Sequence, residues 1–385
     1  MSDADWLRLQ MLRVVGRLYG RRPAQGALRS LLLIRPDHLG DLLFATPTFR
    51  MLREALPQAR LTLLVGPWSR PVVERNPDLD EVLTCSFPGF ERRPKTGLIA
   101  PYRRLFATAR ALRGRFDAAL VLRFDHWWGA WLAAAAGIPV RVGYDRPETR
   151  PFLTTALPYQ PERHEVEQNA ALAAALAPDR LADVRPGPLR FEIGPAARAW
   201  AAAWLDSRAA TARGPLIAIH AGAGAAVKQW PTAEWATVAG RLMAEFDATI
   251  LLTGGSAERP LAQEIADRLP RAPLDATGQT DLEQLGALLA QCALALGSDS
   301  GPLHLAVAVG TPTVSLYGPV SAAKFGPWGD PARHCVLMTS WQCAPCERLD
   351  WPAEVAAIHS CVAAIRVADV LQAARVLLRV AGCAV

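Results

Sequence analysis

The sequence predicts an α/β protein built from two doubly wound domains. Two observations carry this expectation. Short, continuously apolar runs alternate with helical patterns along the chain, as strands buried on both faces of a parallel sheet should. The alternation breaks at residues 185–195, a proline- and glycine-rich stretch, and then begins again. The length of 385 residues also suits two domains better than one.

The first 28 residues stand apart as a basic amphipathic extension. Trp6, Leu9, Leu12, Val15, Leu18 and Tyr19 share a helical stripe, and Arg8, Arg13, Arg17, Arg21 and Arg22 supply positive charge. Such a helix can lie in a membrane interface or pack on its own domain, and the sequence leaves both open. Residues 29–185 form the first domain. Leu31-Leu-Leu-Ile34 is its first strand, followed by the loop Arg35-Pro-Asp-His-Leu-Gly-Asp41 and a helix expected to run to about Ala55. Leu61–Val65 and Ala118–Leu122 supply further strands. Residues 186–214 read as a linker and helix. The second domain, 215–345, has strands at Leu216–His220, Thr249–Thr253, Ala293–Leu296 and Thr313–Leu316. A helical segment, 346–385, closes the chain and is free to pack back on the first domain.

Ligands of doubly wound sheets bind beyond the carboxyl ends of the strands, where this chain concentrates its polar loops. Gly297-Ser-Asp-Ser-Gly-Pro-Leu-His304 reads as strand, tight turn and helix, with Ser300 and Gly301 at the helix start. Backbone N–H groups and the helix dipole favour an anion there, most often a phosphate. Asp299 and His304 stand at the same mouth. The loop after His220 carries Gly222 and Gly224, which let a ligand approach the backbone, and Lys228. Lysine occurs at only three positions in the chain, 95, 228 and 324, so its presence in this loop carries weight. Gly254 and Glu258 follow the next strand. Together these loops suit a nucleotide diphosphate, although none is a Walker loop or a full dinucleotide fingerprint. In the first domain, Asp41 follows Gly40 and could act as a general base, with Asp37 as a competitor. At a helix start, Asp41 should have a lowered pKa unless burial raises it.

Charge divides unevenly. Residues 1–190 hold 28 Lys and Arg against 19 Asp and Glu, whereas 191–385 hold 14 against 17. A basic first half suggests an anionic partner. Nucleic acid is disfavoured, because the basic segment 92–115 holds only two aromatics, Tyr102 and Phe106. No apolar run is long enough to span a bilayer. The seven cysteines are an odd number, mostly scattered through regular segments, which points to reduced thiols and the cytoplasm. Cys343, Cys346, His359 and Cys361 could together make four zinc ligands; reduced thiols without metal are the expectation.

Beyond these readings, the chain resembles bacterial glycosyltransferase family nine, the lipopolysaccharide heptosyltransferases. The resemblance rests on Gly40-Asp41, Thr46-Pro-Thr48, Leu52–Pro57, Arg141-Val-Gly-Tyr-Asp145 and His164-Glu-Val-Glu-Gln168. In the second half it rests on Lys228-Gln-Trp-Pro231, Leu252-Thr-Gly-Gly255, Gly278–Leu282, Asp299–His304, Gly310–Thr313 and Tyr317-Gly-Pro319. It implies a GT-B fold, two Rossmann-like domains facing across a cleft, and inverting sugar transfer without metal or cofactor. By that resemblance Asp41 is the base and Lys228 stabilises the departing diphosphate. His220, Gly222, Gly224, Gly254, Glu258, Thr280, Asp299, Ser300, Gly301 and His304 would hold the donor, typically ADP-L-glycero-β-D-manno-heptose. Asp37, His38, Arg92, Arg93 and Arg123 are the expected acceptor contacts, with the lipopolysaccharide inner core as the implied acceptor. The implied setting is cytoplasmic, with peripheral contact to the inner membrane as an added expectation. Serine or threonine is common in the family's first loop where this chain has Pro36, Asp37 and His38. Two other functions remain open: a GT-B enzyme using another nucleotide sugar for a capsule, glycan or natural-product acceptor, and a silent glycolipid- or nucleotide-binding protein on the same scaffold.

Overall fold

A computed structural model describes all residues except 1–2, 21–27, 92–96, 98, 209–213, 360 and 384–385. The chain forms two compact units, Met1–Gly187 and Pro188–Val385. Each contains a six-stranded, all-parallel sheet.

In the first unit the strands are β1 (Ser30–Arg35), β2 (Arg60–Val65), β3 (Glu81–Thr84), β4 (Ala118–Val121), β5 (Val140–Tyr144) and β6 (Thr155–Leu157). Their spatial order is β3-β2-β1-β4-β5-β6. Leu31, Leu32, Leu33 and Ile34 of β1 are fully buried, because helices cover both faces of this central strand. The second unit repeats the plan with β7 (Leu216–His220), β8 (Thr249–Thr253), β9 (Leu274–Asp275), β10 (Leu294–Ser298), β11 (Thr313–Tyr317) and β12 (His334–Met338), ordered β12-β11-β10-β7-β8-β9. In each sheet the order reverses between two central strands, β1 and β4 or β7 and β10. That reversal opens a crevice at their carboxyl ends.

Five strands escape a search for apolar runs. β3, β6 and β12 lie at or near sheet edges, where exposure admits residues such as Glu81, Thr155 and His334. β9 has only two residues, and β5 carries Arg141, whose guanidinium is buried by hydrogen bonds to the carbonyls of Ile138 and Phe152. The helix expected from Asp41 to Ala55 is two helices, Leu39–Leu43 and Thr46–Ala55. Pro47 stands in the first turn of the second, where its missing N–H is harmless.

Helix Asp3–Gly16 and the turn that follows it pack on their own unit. Leu12 joins the core cluster beside Phe152 and Trp131, and the Tyr19 hydroxyl accepts a hydrogen bond from Trp131 Nε1 at 3.0 Å. At the other end, helix Val367–Val380 buries Val370, Leu371, Ala374, Leu377 and Leu378 in the core of the second unit. A bidentate pair between Arg375 and Glu245 ties it to helix Thr232–Phe246 of that unit.

Close packing at β10 yields a test. A Cβ on Gly297 would stand 2.4 Å from Leu303 Cδ2 and 2.8 Å from the carbonyl oxygen of His220. Gly297→Val should therefore destabilise the second unit by about 1–3 kcal/mol, read as a lower thermal midpoint. An unchanged midpoint would refute this packing.

Candidate active site

The two switch-point crevices collect most of the polar residues singled out in the sequence. In the first unit, β1 ends in Arg35, which is almost wholly buried. Its Nη1 donates to Glu165 Oε1 at 2.8 Å, to the Leu122 carbonyl at 2.9 Å and to Asn169 Oδ1 at 3.0 Å. Its Nε stands 2.7 Å from Asp37 Oδ2 without hydrogen-bond alignment, so that contact is chiefly charge attraction. Arg123, just beyond β4, pairs with the other oxygen of Asp37 and with Asp125, and its guanidinium lies over the Phe90 ring. Glu165 and Asn169 come from helix Glu165–Leu176, whose first turn is capped by the imidazole of His164.

Asp41 occupies the first turn of helix Leu39–Leu43, 3.7 Å from Arg35, with about a third of its side chain exposed. Its pKa is pushed up to about 7 by burial and by the neighbouring carboxylate of Asp37, despite Arg35. The lowering expected from the helix start is thus reversed. Burial contributes most, and charge balance adds to it: Arg35 and Arg123 already face Asp37 and Glu165, and Asp41 arrives as a further carboxylate. Asp37 takes the opposite course. Burial alone would raise it, but Arg35 and Arg123 hold it below the ordinary range. Only 3% of its side chain is exposed, so it is a poor rival to Asp41 as a base and is already engaged on both oxygens. His38 lies against Trp68, with ring centroids 5.7 Å apart. Arg92 and Arg93 lie outside the described residues.

The second crevice is built from β7 and β10. Lys228 sits in a 3-10 turn whose neighbour Trp230 is buried edge-on against Trp235 and donates to the Ile365 carbonyl at 3.1 Å. This anchor fixes the loop, and Lys228 Nζ reaches Asp299 Oδ2 at 2.8 Å. His304 Nε2 lies 3.5 Å from Asp299 Oδ1. Burial would raise the Asp299 carboxyl, but His304 and Lys228 hold it below its usual range. Helix Gly301–Ala308 begins beside this cluster. Ser300 is its N-cap by position, yet its hydroxyl makes no cap hydrogen bond and is buried without a partner among the described residues. A buried donor at a helix N-terminus is equipped for an anion.

Around it, His220 at the end of β7 contacts the Thr253 carbonyl through Nδ1, and burial lowers its pKa against the nearby Glu258. Glu258 Oε1 fills the space beside Gly222, where a Cβ would come within 1.5 Å, and its Oε2 accepts from the Gly255 N–H at 2.7 Å. Gly254 adjoins the same carboxylate, while Gly224 has open space beside it. The Gly278 N–H donates to the Gly254 carbonyl, placing the turn before Thr280 beside this loop; Thr280 itself is half-buried.

Of the expected residues in the first unit, Asp37, Asp41 and Arg123 are gathered, and in the second His220, Glu258, Lys228, Asp299, Ser300 and His304 line the ends of neighbouring strands. Sequence reasoning missed Arg35, Glu165 and Asn169. An arginine closing an apolar strand was the available signal, since a buried guanidinium requires partners. Among the described residues, no His, Cys, Asp and Glu side chains gather in a group of three or more suited to a metal. Cys343 and Cys346 are exposed and Cys361 is buried.

Residues 105–354 match the family description "Glycosyltransferase family 9 (heptosyltransferase)". The chain belongs to this family. It is a glycosyltransferase. Over 318 residues it is 27% identical to lipopolysaccharide heptosyltransferase 2 of Salmonella typhimurium, covering 81% of this chain and 89% of that protein. The corresponding Escherichia coli heptosyltransferase 2 is 28% identical, with 81% and 89% covered. Among solved structures, a family 9 glycosyltransferase from Veillonella parvula superposes with a TM-score of 0.78 at 25% identity, over 93% of this chain and 99% of that one. The Escherichia coli ADP-heptose LPS heptosyltransferase II gives 0.71 at 23% identity, over 91% and 98%. These likenesses establish the GT-B fold.

The raised pKa of Asp41 has a consequence for stability. Between about pH 4 and 7 the folded chain keeps a proton that the unfolded chain releases, so ionising Asp41 lowers stability as pH rises through that window. Asp41→Asn cannot ionise. It should melt higher than the wild type at pH 8, with the difference closing towards pH 4. A gap independent of pH would count against the shift.

Proposed function

We propose that the enzyme transfers a heptose from ADP-heptose to the inner core of a lipopolysaccharide precursor, with inversion at the anomeric carbon and no metal. The observation that carries this reading is a pair of complementary sites: a partly exposed carboxylate with a pKa near 7 in one unit, and a lysine beside a helix N-terminus in the other. Family membership and relatives named as lipopolysaccharide heptosyltransferases supply the substrate class.

In this reaction Asp41 accepts the proton of an acceptor hydroxyl as its oxygen attacks the anomeric carbon. The bond from that carbon to the donor diphosphate breaks, and both electrons leave with the phosphate oxygen. Lys228 meets the growing negative charge; Asp299 occupies one of the three ammonium donors and steadies the group. The N–H groups and hydroxyl around Ser300 and Gly301 hold the phosphates. Glu258 takes the ribose hydroxyls, and the turn at Thr280 borders the base. His38 and Arg123, on the acceptor side, contact the anionic glycolipid. A carboxylate with a pKa near the working pH is a stronger base than an ordinary aspartate, while still mostly ionised slightly above neutrality.

Asp41→Ala should bind donor normally and lose about 10²–10⁴-fold in transfer rate. Lys228→Ala should lose about a hundredfold, in line with removal of one well-placed charge from a leaving group. For the wild type, kcat/KM should fall as pH drops below about 7, where Asp41 protonates. Full transfer by Asp41→Ala would eliminate it as the base.

Donor identity is tested separately. ADP-heptose should raise the melting temperature, whereas UDP- and GDP-sugars at equal concentration should not. Stabilisation by a UDP- or GDP-sugar instead would favour the reading in which another nucleotide sugar is the donor.

A further inference from the structure

We propose that the outward face of helix Asp3–Gly16 is a docking surface for an anionic phospholipid bilayer. The helix has two apolar faces. Leu9, Leu12 and Gly16 point into the first unit, where Leu12 is fully buried and Gly16 meets Pro151 so closely that an added Cβ would lie 2.4 Å from it. On the opposite side, Leu7, Met11 and Val14, spaced four and three apart, form a second stripe that the closing turn extends to Leu18. These side chains stay in solvent: Leu7 is 61% exposed, Val14 60% and Leu18 78%.

A helix that has already buried one face in its domain gains nothing for folding from a second apolar stripe. The flanks indicate what covers it. Trp6, half-exposed, lies beside Arg13 and Arg17 along one edge of the stripe, and Arg8 lies along the other. No acidic residue occurs between Trp6 and Tyr19. Tryptophan and arginine bordering leucine and valine match the depth profile of a bilayer surface: apolar at the acyl boundary, aromatic at the headgroups and cationic towards the phosphates. Arg13 and Arg17 also line an open depression with Tyr19 and Arg150, where Asp145 faces Arg150. That places guanidinium groups at the level where lipid phosphates would lie.

The helix is held rigidly enough to display this face. Tyr19 is hydrogen-bonded to Trp131, and the Gly20 carbonyl accepts from Arg141 Nη2 at 3.1 Å. Phe106, half-exposed on helix Ala100–Leu112, packs edge-on against the same Trp131. Charge complementarity favours a bilayer over a second copy of the chain, because two such faces would bring arginines against arginines.

The inference rests on neither the donor nor the acceptor assignment. Its test is co-sedimentation of the full-length protein with vesicles of phosphatidylglycerol and phosphatidylethanolamine, against vesicles of phosphatidylcholine alone. Binding to the anionic vesicles should be at least roughly tenfold tighter and should weaken with added salt. Val14→Glu/Leu18→Glu should abolish it, and Arg13→Glu/Arg17→Glu should remove its salt-sensitive part. Both pairs change exposed positions, so thermal midpoints near that of the wild type verify folding. Should either pair fail to fold, Leu7→Ser/Met11→Ser replaces it, with loss of binding expected again. Equal affinity for both vesicle types, unchanged binding by Val14→Glu/Leu18→Glu, or full displacement by millimolar inorganic phosphate would overturn the proposal. So would a wild-type dimer that this pair converts to monomer while neither form binds vesicles.

Discussion

A guanidinium buried at the end of β1 organises the first unit. Arg35 is almost wholly buried, so its contacts come from protein: three carboxylates (Asp37, Asp41 and Glu165), an amide and a backbone carbonyl. Losing one partner of such a network commonly costs about 3–5 kcal/mol, because a buried charge is left uncompensated. That constraint fixes Glu165 and Asn169 on a distant helix and aligns Asp37 for Arg123. With those charges satisfied, Asp41 is the carboxylate left over. Its raised pKa therefore reflects burial first and then the carboxylates of the network that holds the crevice together.

The second unit solves a related problem with fewer charges. Its cluster joins Lys228, Asp299 and His304, and the loop carrying the lysine is anchored by an indole rather than by ions. Trp230 places its ring against Trp235 and its N–H on the Ile365 carbonyl, so the C-terminal segment helps to position the lysine. Glycines at 222 and 297 serve close approach: one makes room for the Glu258 carboxylate, the other for Leu303 and the β7 backbone. Both units thus use the same topological feature, the reversal of strand order, to bring distant loops together.

The N-terminal helix belongs to neither crevice. It spends one face on the core and keeps the other apolar and exposed, with Leu7, Val14 and Leu18 in solvent. An aromatic relay through Tyr19, Trp131 and Phe152 binds it to the body of the unit.

The sequence alone determined the repeated α/β plan, because a strand covered on both faces must be apolar throughout, as Leu31 to Ile34 are. It also marked the loops at strand ends, since glycine, lysine and aspartate there serve no core. The edge strands were hidden, as their exposed sides tolerate polar residues that erase the pattern. Only tertiary structure set Asp41 and Asp37 apart, raising the pKa of one and lowering that of the other. Protonation depends on how many charges surround a carboxyl and how little water reaches it, and the neighbours responsible lie up to 130 residues apart along the chain. Periodicity cannot register a distance of that kind; packing does.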